Sequence, residues 1–350
     1  MIFTELARAL DNGWALTFGG GVEPVNPTPS TVIYDEPHRQ LRRYEGAHGS
    51  GNPVLLVPPL AVHSSCFDLR QGQSLAQFLL DTGRAPYIVD YGRITFADRN
   101  LGFEEWIDDI VPTAIARVSA EHGGAEVDVI AWSLGGTLAL LTAAEHADLP
   151  IASVTALGTP IDYRRHPMLA PSRLLARVTG GREVAWSTAL FGGIPAFAVQ
   201  LGFRGMALPR ELMRPWFIAR NLGRSEALAR MEAIDRFIGR MPGYPGRLYR
   251  QNHRLMILGN HMAKGSIPLG QDRVIEMAKV SCRVLLVGSP SDNIAPAATV
   301  APGVRVLTGA AEARYVEVPR ASHLGLVAGP EAASWAVIDE FLGSAVLANR

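Results

Sequence analysis

The chain has little lysine, little cysteine and no net charge. Of its 33 basic residues only Lys264 and Lys279 are lysines, so arginine supplies the rest. That bias reads as genome composition rather than chemistry. The 33 acidic residues balance the basic ones. A neutral chain lacks the electrostatic footprint of a nucleic-acid binder, so no nucleic-acid partner is expected. Cys66 and Cys282 lie far apart. Two distant cysteines give no disulfide framework and read as buried thiols in a reducing compartment. No histidine spacing completes a metal site around them, so no metal and no cofactor are expected.

Long apolar runs are also missing. The N-terminal segment carries Glu5 and Arg8 within residues 1–12. That is a short amphipathic helix pattern, not the basic start and uncharged core of a signal peptide. Residues 184–203 carry no charge, but Gly192, Gly193 and Pro195 interrupt them. Such breakers make a poor membrane span and a better buried or lipid-facing cap segment. Cytoplasmic location follows as the expectation, with attachment to a membrane or lipid-inclusion surface left open. There are no internal repeats or low-complexity segments.

What is present is an alternation of strand and helix. Val32-Ile33-Tyr34 and Gln40 to Tyr44 predict a hairpin. The continuous apolar run Val54-Leu55-Leu56-Val57 predicts a strand buried on both faces. Helices at 74–82 and 103–122 flank a strand at 85–90. Strands at 127–132 and 151–157 enclose a further helix. Residues 161–280 then read as helices broken by Pro and Gly. Strands resume at 283–288 and 313–318, and a helix at 331–347 closes the chain. The organisation expected is an N-terminal helix and hairpin region (1–52), a first core half (53–160), a helical cap (161–280) and a second core half (281–350). A mostly parallel, doubly wound α/β sheet with a helical insertion has the layout of an α/β-hydrolase fold with a cap.

Ser133 is the centre of the functional reading. It ends the strand at 127–132, and a Leu/Ala-rich helix starts at once. A nucleophile elbow needs that strand–turn–helix context, with small residues on either side of the strained serine. Ala131 and Gly135 meet the need. A serine nucleophile needs a base and an acid to orient it. In this fold the chain order is serine, acid, histidine. Asp292 follows the strand at 283–288, and His323 follows the last strand. Of nine histidines only His323 has the right strand, loop and order. His38, His48 and His122 read as exposed turn residues, and His63 precedes the serine. An oxyanion hole needs backbone N–H groups, expected from Leu134 and from Leu60 or Ala61, because Pro58 and Pro59 cannot donate. Trp132, Trp186, Phe191 and Phe197 are candidates for an apolar acyl-binding surface. Arg204, Arg210, Arg214 and Arg220 read either as a solvated face or as phosphate-binding groups for coenzyme A.

These motifs resemble the polyhydroxyalkanoate synthases. The likeness rests on Val57-Pro58-Pro59-Leu60, Phe67-Asp68-Leu69, Tyr87 to Gly92, Trp106 to Ile115, Gly135-Gly136-Thr137-Leu138, Pro160-Ile161-Asp162-Tyr163 and His323-Leu324-Gly325. It spans roughly residues 53–330 and is weakest in the cap. It implies an α/β-hydrolase fold, acyl transfer from hydroxyacyl-CoA thioesters, and homodimerisation. Those synthases carry cysteine at the elbow, where this chain has Ser133. Serine would form an oxyester in place of a thioester, which favours water or an alcohol as acceptor. Cys66 stands outside any elbow. Asp162 matches a family position and reads as structural, at a cap hinge. The leading expectation is a serine-dependent hydrolase of esters or thioesters with hydrophobic acyl chains. A synthase-like acyltransferase using acyl-CoA and a non-catalytic module on a lipid or polymer surface are the alternatives.

Overall fold

The computed structural model describes residues 2–46, 49, 51–206, 208–329 and 332–348. His48 lies outside them. Eight strands form the main sheet: β1 (Ser30–Tyr34), β2 (Gln40–Tyr44), β3 (Val54–Val57), β4 (Pro86–Asp90), β5 (Val127–Trp132), β6 (Ile151–Leu157), β7 (Arg283–Gly288) and β8 (Glu312–Glu317). Their spatial order is β1-β2-β4-β3-β5-β6-β7-β8. β1 and β2 pair antiparallel, and β2 pairs antiparallel with β4. Every pairing from β4 to β8 is parallel. This is the α/β-hydrolase fold.

The apolar runs sort by the two-residue period of a strand. Leu55, Val57, Val129 and Ala131 face one core, with Trp106, Ile107 and Leu138. Val54, Leu56, Ile130 and Trp132 face the other, with Leu79, Ile338 and Phe341. Both faces are therefore covered, which is why β3 is apolar throughout and β5 is apolar at every position but Asp128. On one side lie a helix over 103–121 and the elbow helix. On the other lie α2 (Leu75–Asp81) and the closing helix Ala333–Ala348. Ser74 caps α2 by accepting from the Gln77 N–H at 3.0 Å. The helix over 103–121 passes through a π turn at Trp106–Ile110 before continuing as α3 (Val111–Glu121). The N-terminal helix α1 (Ile2–Thr17) runs beyond residue 12.

Between β6 and β7 the chain leaves the sheet. After the elbow helix α4 (Leu134–Glu145) come α5 (Ala170–Thr179), α6 (Arg182–Phe191), α7 (Ala196–Met206), α8 (Leu208–Asn221), α9 (Ser225–Gly239) and α10 (Gly246–Gln251). Two short antiparallel pairs that the sequence did not suggest stitch this region: Gly193–Ile194 with Tyr244–Pro245, and Ser266–Pro268 with Val274–Glu276. Arg247 and Gln251 of α10 hold Glu104 of the core, at 2.6 and 3.0 Å. The closing helix is α11 (Ala333–Ala348). Among the described residues no helix is long and apolar enough to cross a membrane.

Candidate active site

Ser133 sits between β5 and α4 with φ +54° and ψ −123°. A side chain at positive φ is strained, and such strain persists only where the surroundings enforce it. Here they do. The Ser133 N–H donates to the Leu157 carbonyl at 2.8 Å, and its own carbonyl accepts from the Thr159 hydroxyl at 3.0 Å and the Gly136 N–H at 3.0 Å. Gly135 lets α4 start against the loop after β3. A Cβ there would lie 2.5 Å from the Val57 carbonyl oxygen and 2.8 Å from that of Pro58. A Cβ on Gly136 would collide with Thr159. The pattern of small residues thus serves close backbone approach as well as the strained turn.

The acid and histidine loops meet at the ends of β7 and β8. His323 Nδ1 donates to Asp292 Oδ2 at 2.6 Å. The other carboxylate oxygen, Oδ1, accepts the N–H groups of Ile294 and Ala295, both at 2.8 Å. Asp292 is buried and fully bonded, so it holds Nδ1 as the donor nitrogen and leaves His323 Nε2 turned away from the carboxylate. Ser289 ties the two loops, because its hydroxyl oxygen accepts from the N–H groups of Ser291 and Ala321. The imidazole lies against the Trp132 indole, ring centres 4.9 Å apart. It also packs on Gly158, where a Cβ would stand 3.1 Å from the ring. Trp132 precedes Ser133, so this stacking brings His323 and Ser133 to one end of the sheet. Ser133 and His323 are not directly hydrogen-bonded in this conformation. Such contacts commonly tighten only when substrate is bound.

The loop after β3 faces the elbow. Leu60 and Ala61 are buried there, and Ala61 takes φ +57°. The Tyr91 hydroxyl donates to the Pro58 carbonyl at 3.0 Å and pins the loop. Burial pushes that phenol well above its ordinary range, so it stays a donor. Among the described residues the N–H groups of Leu60, Ala61 and Leu134 donate to no protein acceptor. Unused N–H groups beside a strained serine are what an oxyanion site requires.

A cavity of about 430 Å³ opens beside His323 and Trp132. Its apolar wall comes from the cap, chiefly Phe203, Ile238 and Met241. Trp186, Phe191 and Phe197 do not line it. They are 74%, 52% and 66% exposed on the outer side of the cap. A second cavity of about 830 Å³ shares Met241 with the first and includes His63, Asp90 and Arg240. His63 Nδ1 accepts the Ser65 N–H at 3.1 Å, and burial holds the ring below the ordinary imidazole range against the pull of Asp90.

The remaining candidates sit elsewhere. His38 bonds Asp98, and His146 bonds Asp108. His166 Nε2 donates to the Ile294 carbonyl at 2.9 Å, fastening the start of the cap to the acid loop. Asp162 accepts from Asn260 and Arg165. Burial raises its carboxyl, but those bonds outweigh it and hold the group below its usual range. Arg210 and Arg214 both pair with Asp235. Cys66 is buried in a short turn at Ser64–Phe67, and burial pushes its thiol well up. Cys282 is only partly buried, with its thiol raised to about 11. Sequence reasoning missed Thr159, Ser289 and the role of Trp132 as a platform for the histidine. A hydroxyl two residues past a strand end was the only signal for Thr159.

The fold and this arrangement define an enzyme of the α/β-hydrolase type. The chain is similar to the poly(3-hydroxyalkanoate) polymerase subunit PhaC of Allochromatium vinosum, 22% identical over 298 residues covering 83% of this chain and 82% of that one. The poly(3-hydroxyalkanoate) polymerase of Methylorubrum extorquens is 26% identical over 324 residues, 90% of this chain and 51% of the relative. No protein-family model matches. Two solved structures share the fold. Mouse alpha/beta hydrolase domain-containing protein 10 is 13% identical, with TM-score 0.51 over 92% of this chain and all of that one. The monoacylglycerol lipase of Paleococcus ferrophilus is 18% identical, with TM-score 0.50 over 87% and 98%.

Proposed function

We propose that this protein hydrolyses esters or thioesters of hydrophobic acyl chains through an acyl-enzyme on Ser133. The observation that carries the reading is a non-glycine Ser133 held at φ +54° beside an Asp292–His323 pair whose free imidazole nitrogen is set by a 2.6 Å bond. Ser133 Oγ attacks the acyl carbon while His323 Nε2 takes its proton. The oxyanion that forms lies near the Leu134 N–H and that of Leu60 or Ala61. Each such donor lowers the barrier by about 3–4 kcal/mol. His323 then gives its proton to the departing alcohol or thiol. Water, deprotonated by the same nitrogen, releases the acid and restores Ser133. The apolar cavity at Trp132, Ile238 and Met241 suits the acyl chain.

Transfer to an alcohol is the second reading, favoured by the likeness to polymerases. It needs the same residues and differs only in the acceptor. Incubation of the protein with a medium-chain acyl thioester, with and without an added hydroxyacid ester, separates the two. Free acid at an equal rate in both supports hydrolysis. A new ester formed at the expense of free acid supports transfer. No turnover of any acyl ester or thioester by the folded protein contradicts both.

A further inference from the structure

The outer side of the cap is unlike an ordinary protein surface. Four successive helices each turn an apolar pair, one helical turn apart, to solvent. They are Leu174 and Val178 on α5, Trp186 and Leu190 on α6, Phe197 and Leu201 on α7, and Leu212 and Trp216 on α8. Residues four apart share a helix face, so each pair is a stripe rather than a stray side chain. On α8 the usual polarity is inverted. Its Arg210 and Arg214 reach Asp235 of α9 at 3.0 and 2.8 Å, while Leu212 and Trp216 are 71% and 61% exposed. A surface helix with only water outside would do the reverse.

Charge indicates what covers this face. Residues 170–221 hold seven arginines and two glutamates, a net of +5 in a chain whose total is zero. Arg182, Arg204 and Arg220 have no carboxylate partner among the described residues. Aromatic and leucine side chains interleaved with unpaired arginines suit the boundary between lipid headgroups and acyl chains. A second copy of the same face would set its unpaired Arg182, Arg204 and Arg220 against their own counterparts, which disfavours a two-fold contact there.

We propose that the outer face of α5 to α8 docks on an anionic phospholipid surface. Trp216, Leu212 and their counterparts enter the interface, and the unpaired arginines meet lipid phosphates. The same helices wall the acyl cavity, since Phe203 and Met206 of α7 and Arg210 of α8 line it. An acyl chain arriving from the lipid therefore reaches His323 through one layer of helix. Docking is independent of the catalytic reading, and its test does not require turnover.

The test is flotation of the full chain with vesicles of phosphatidylglycerol mixed with phosphatidylcholine, against vesicles of phosphatidylcholine alone, with size-exclusion light scattering in parallel. The expected result is binding to the anionic vesicles only, weakened by salt. Leu212→Glu with Trp216→Glu should cut the partition roughly tenfold or more, as loss of two inserted apolar side chains implies. Arg204→Gln with Arg220→Gln should cut it several-fold and remove much of the salt dependence. All variants should keep the wild-type circular dichroism. Absence of binding, or equal binding to neutral vesicles, would overturn the proposal. So would a dimer that Leu212→Glu with Trp216→Glu dissolves, because the face would then belong to a second copy.

Discussion

The Trp132 indole carries the His323 imidazole at 4.9 Å between ring centres, tilted by 35°. Trp132 is the residue before Ser133, so one strand end supplies both the serine and the surface that locates the imidazole. Asp292 fixes the other side of the ring at 2.6 Å. The imidazole is thus held by a hydrogen bond at Nδ1 and by a flat apolar contact, with Nε2 left free.

Loss of the platform should affect turnover more than binding. Trp132→Ala is expected to lower kcat by roughly tenfold or more, because misplacement of a base by about an ångström can cost two orders of magnitude. Trp132→Phe, which keeps a ring, should recover most of it. Steady-state kinetics on a soluble ester check this, with equal losses in both variants as the contrary result.

The Ser133, His323 and Asp292 substitutions should be strongly non-additive. Ser133→Ala and His323→Ala are each expected to reduce kcat by about 10³-fold or more, and the double variant by little beyond that. Asp292→Asn keeps the shape but should still lose activity, since it no longer selects the tautomer. Multiplying losses in the double variant would show that the two residues do not act as a unit.

Gly135→Ala should destabilise the fold without touching a reacting group. Its Cβ would press on the Val57 and Pro58 carbonyl oxygens, both backbone atoms that cannot swing aside. A cost of about 1–3 kcal/mol is expected, as for other overpacked sites. Chemical denaturation measures it, and an unchanged midpoint would refute the close-approach account of this glycine.

Asp128 gives a pH prediction. It is buried within β5, where burial raises its carboxyl and the Ser153 hydroxyl, donating at 2.5 Å, only partly offsets this. Because the folded state holds the proton at pH values where an unfolded aspartate has lost it, stability falls as pH rises from the ordinary aspartate range through the raised folded one. The cost is complete once the pH has passed the raised folded value. Asp128→Asn should therefore be more stable than wild type at neutral pH, with the difference shrinking toward about pH 4. Thermal midpoints across that range decide, and a constant difference would mean that Asp128 does not titrate on unfolding.

The parts of this molecule legible in sequence are those with a strong local period or a fixed chain order. Val54 to Val57 and Val127 to Trp132 are apolar at every or nearly every position because both sheet faces are covered. Ser133 was marked by the small residues around it, and Asp292 and His323 by the strands they follow. The cap was harder. Ile238 and Met241 line the apolar cavity with the same spacing that core residues show, so periodicity cannot tell a cavity wall from a packed interior. Trp186, Phe191 and Phe197 are apolar yet point outward, because composition does not fix which way a helix faces. The pairing of Gly193–Ile194 with Tyr244–Pro245 is too short to leave an alternating pattern. The π turn at Trp106–Ile110 likewise has no signature within a helical run.

The central claim is that Ser133 is an activated nucleophile. Intact-mass analysis after exposure to a fluorophosphonate tests it directly, with vesicles or detergent present in a parallel sample to admit the reagent past the cap. The account predicts a single phosphonyl adduct on the wild-type chain, absent in Ser133→Ala and slowed in His323→Ala. An unmodified wild-type chain under both conditions, or an adduct that persists in Ser133→Ala, would contradict it.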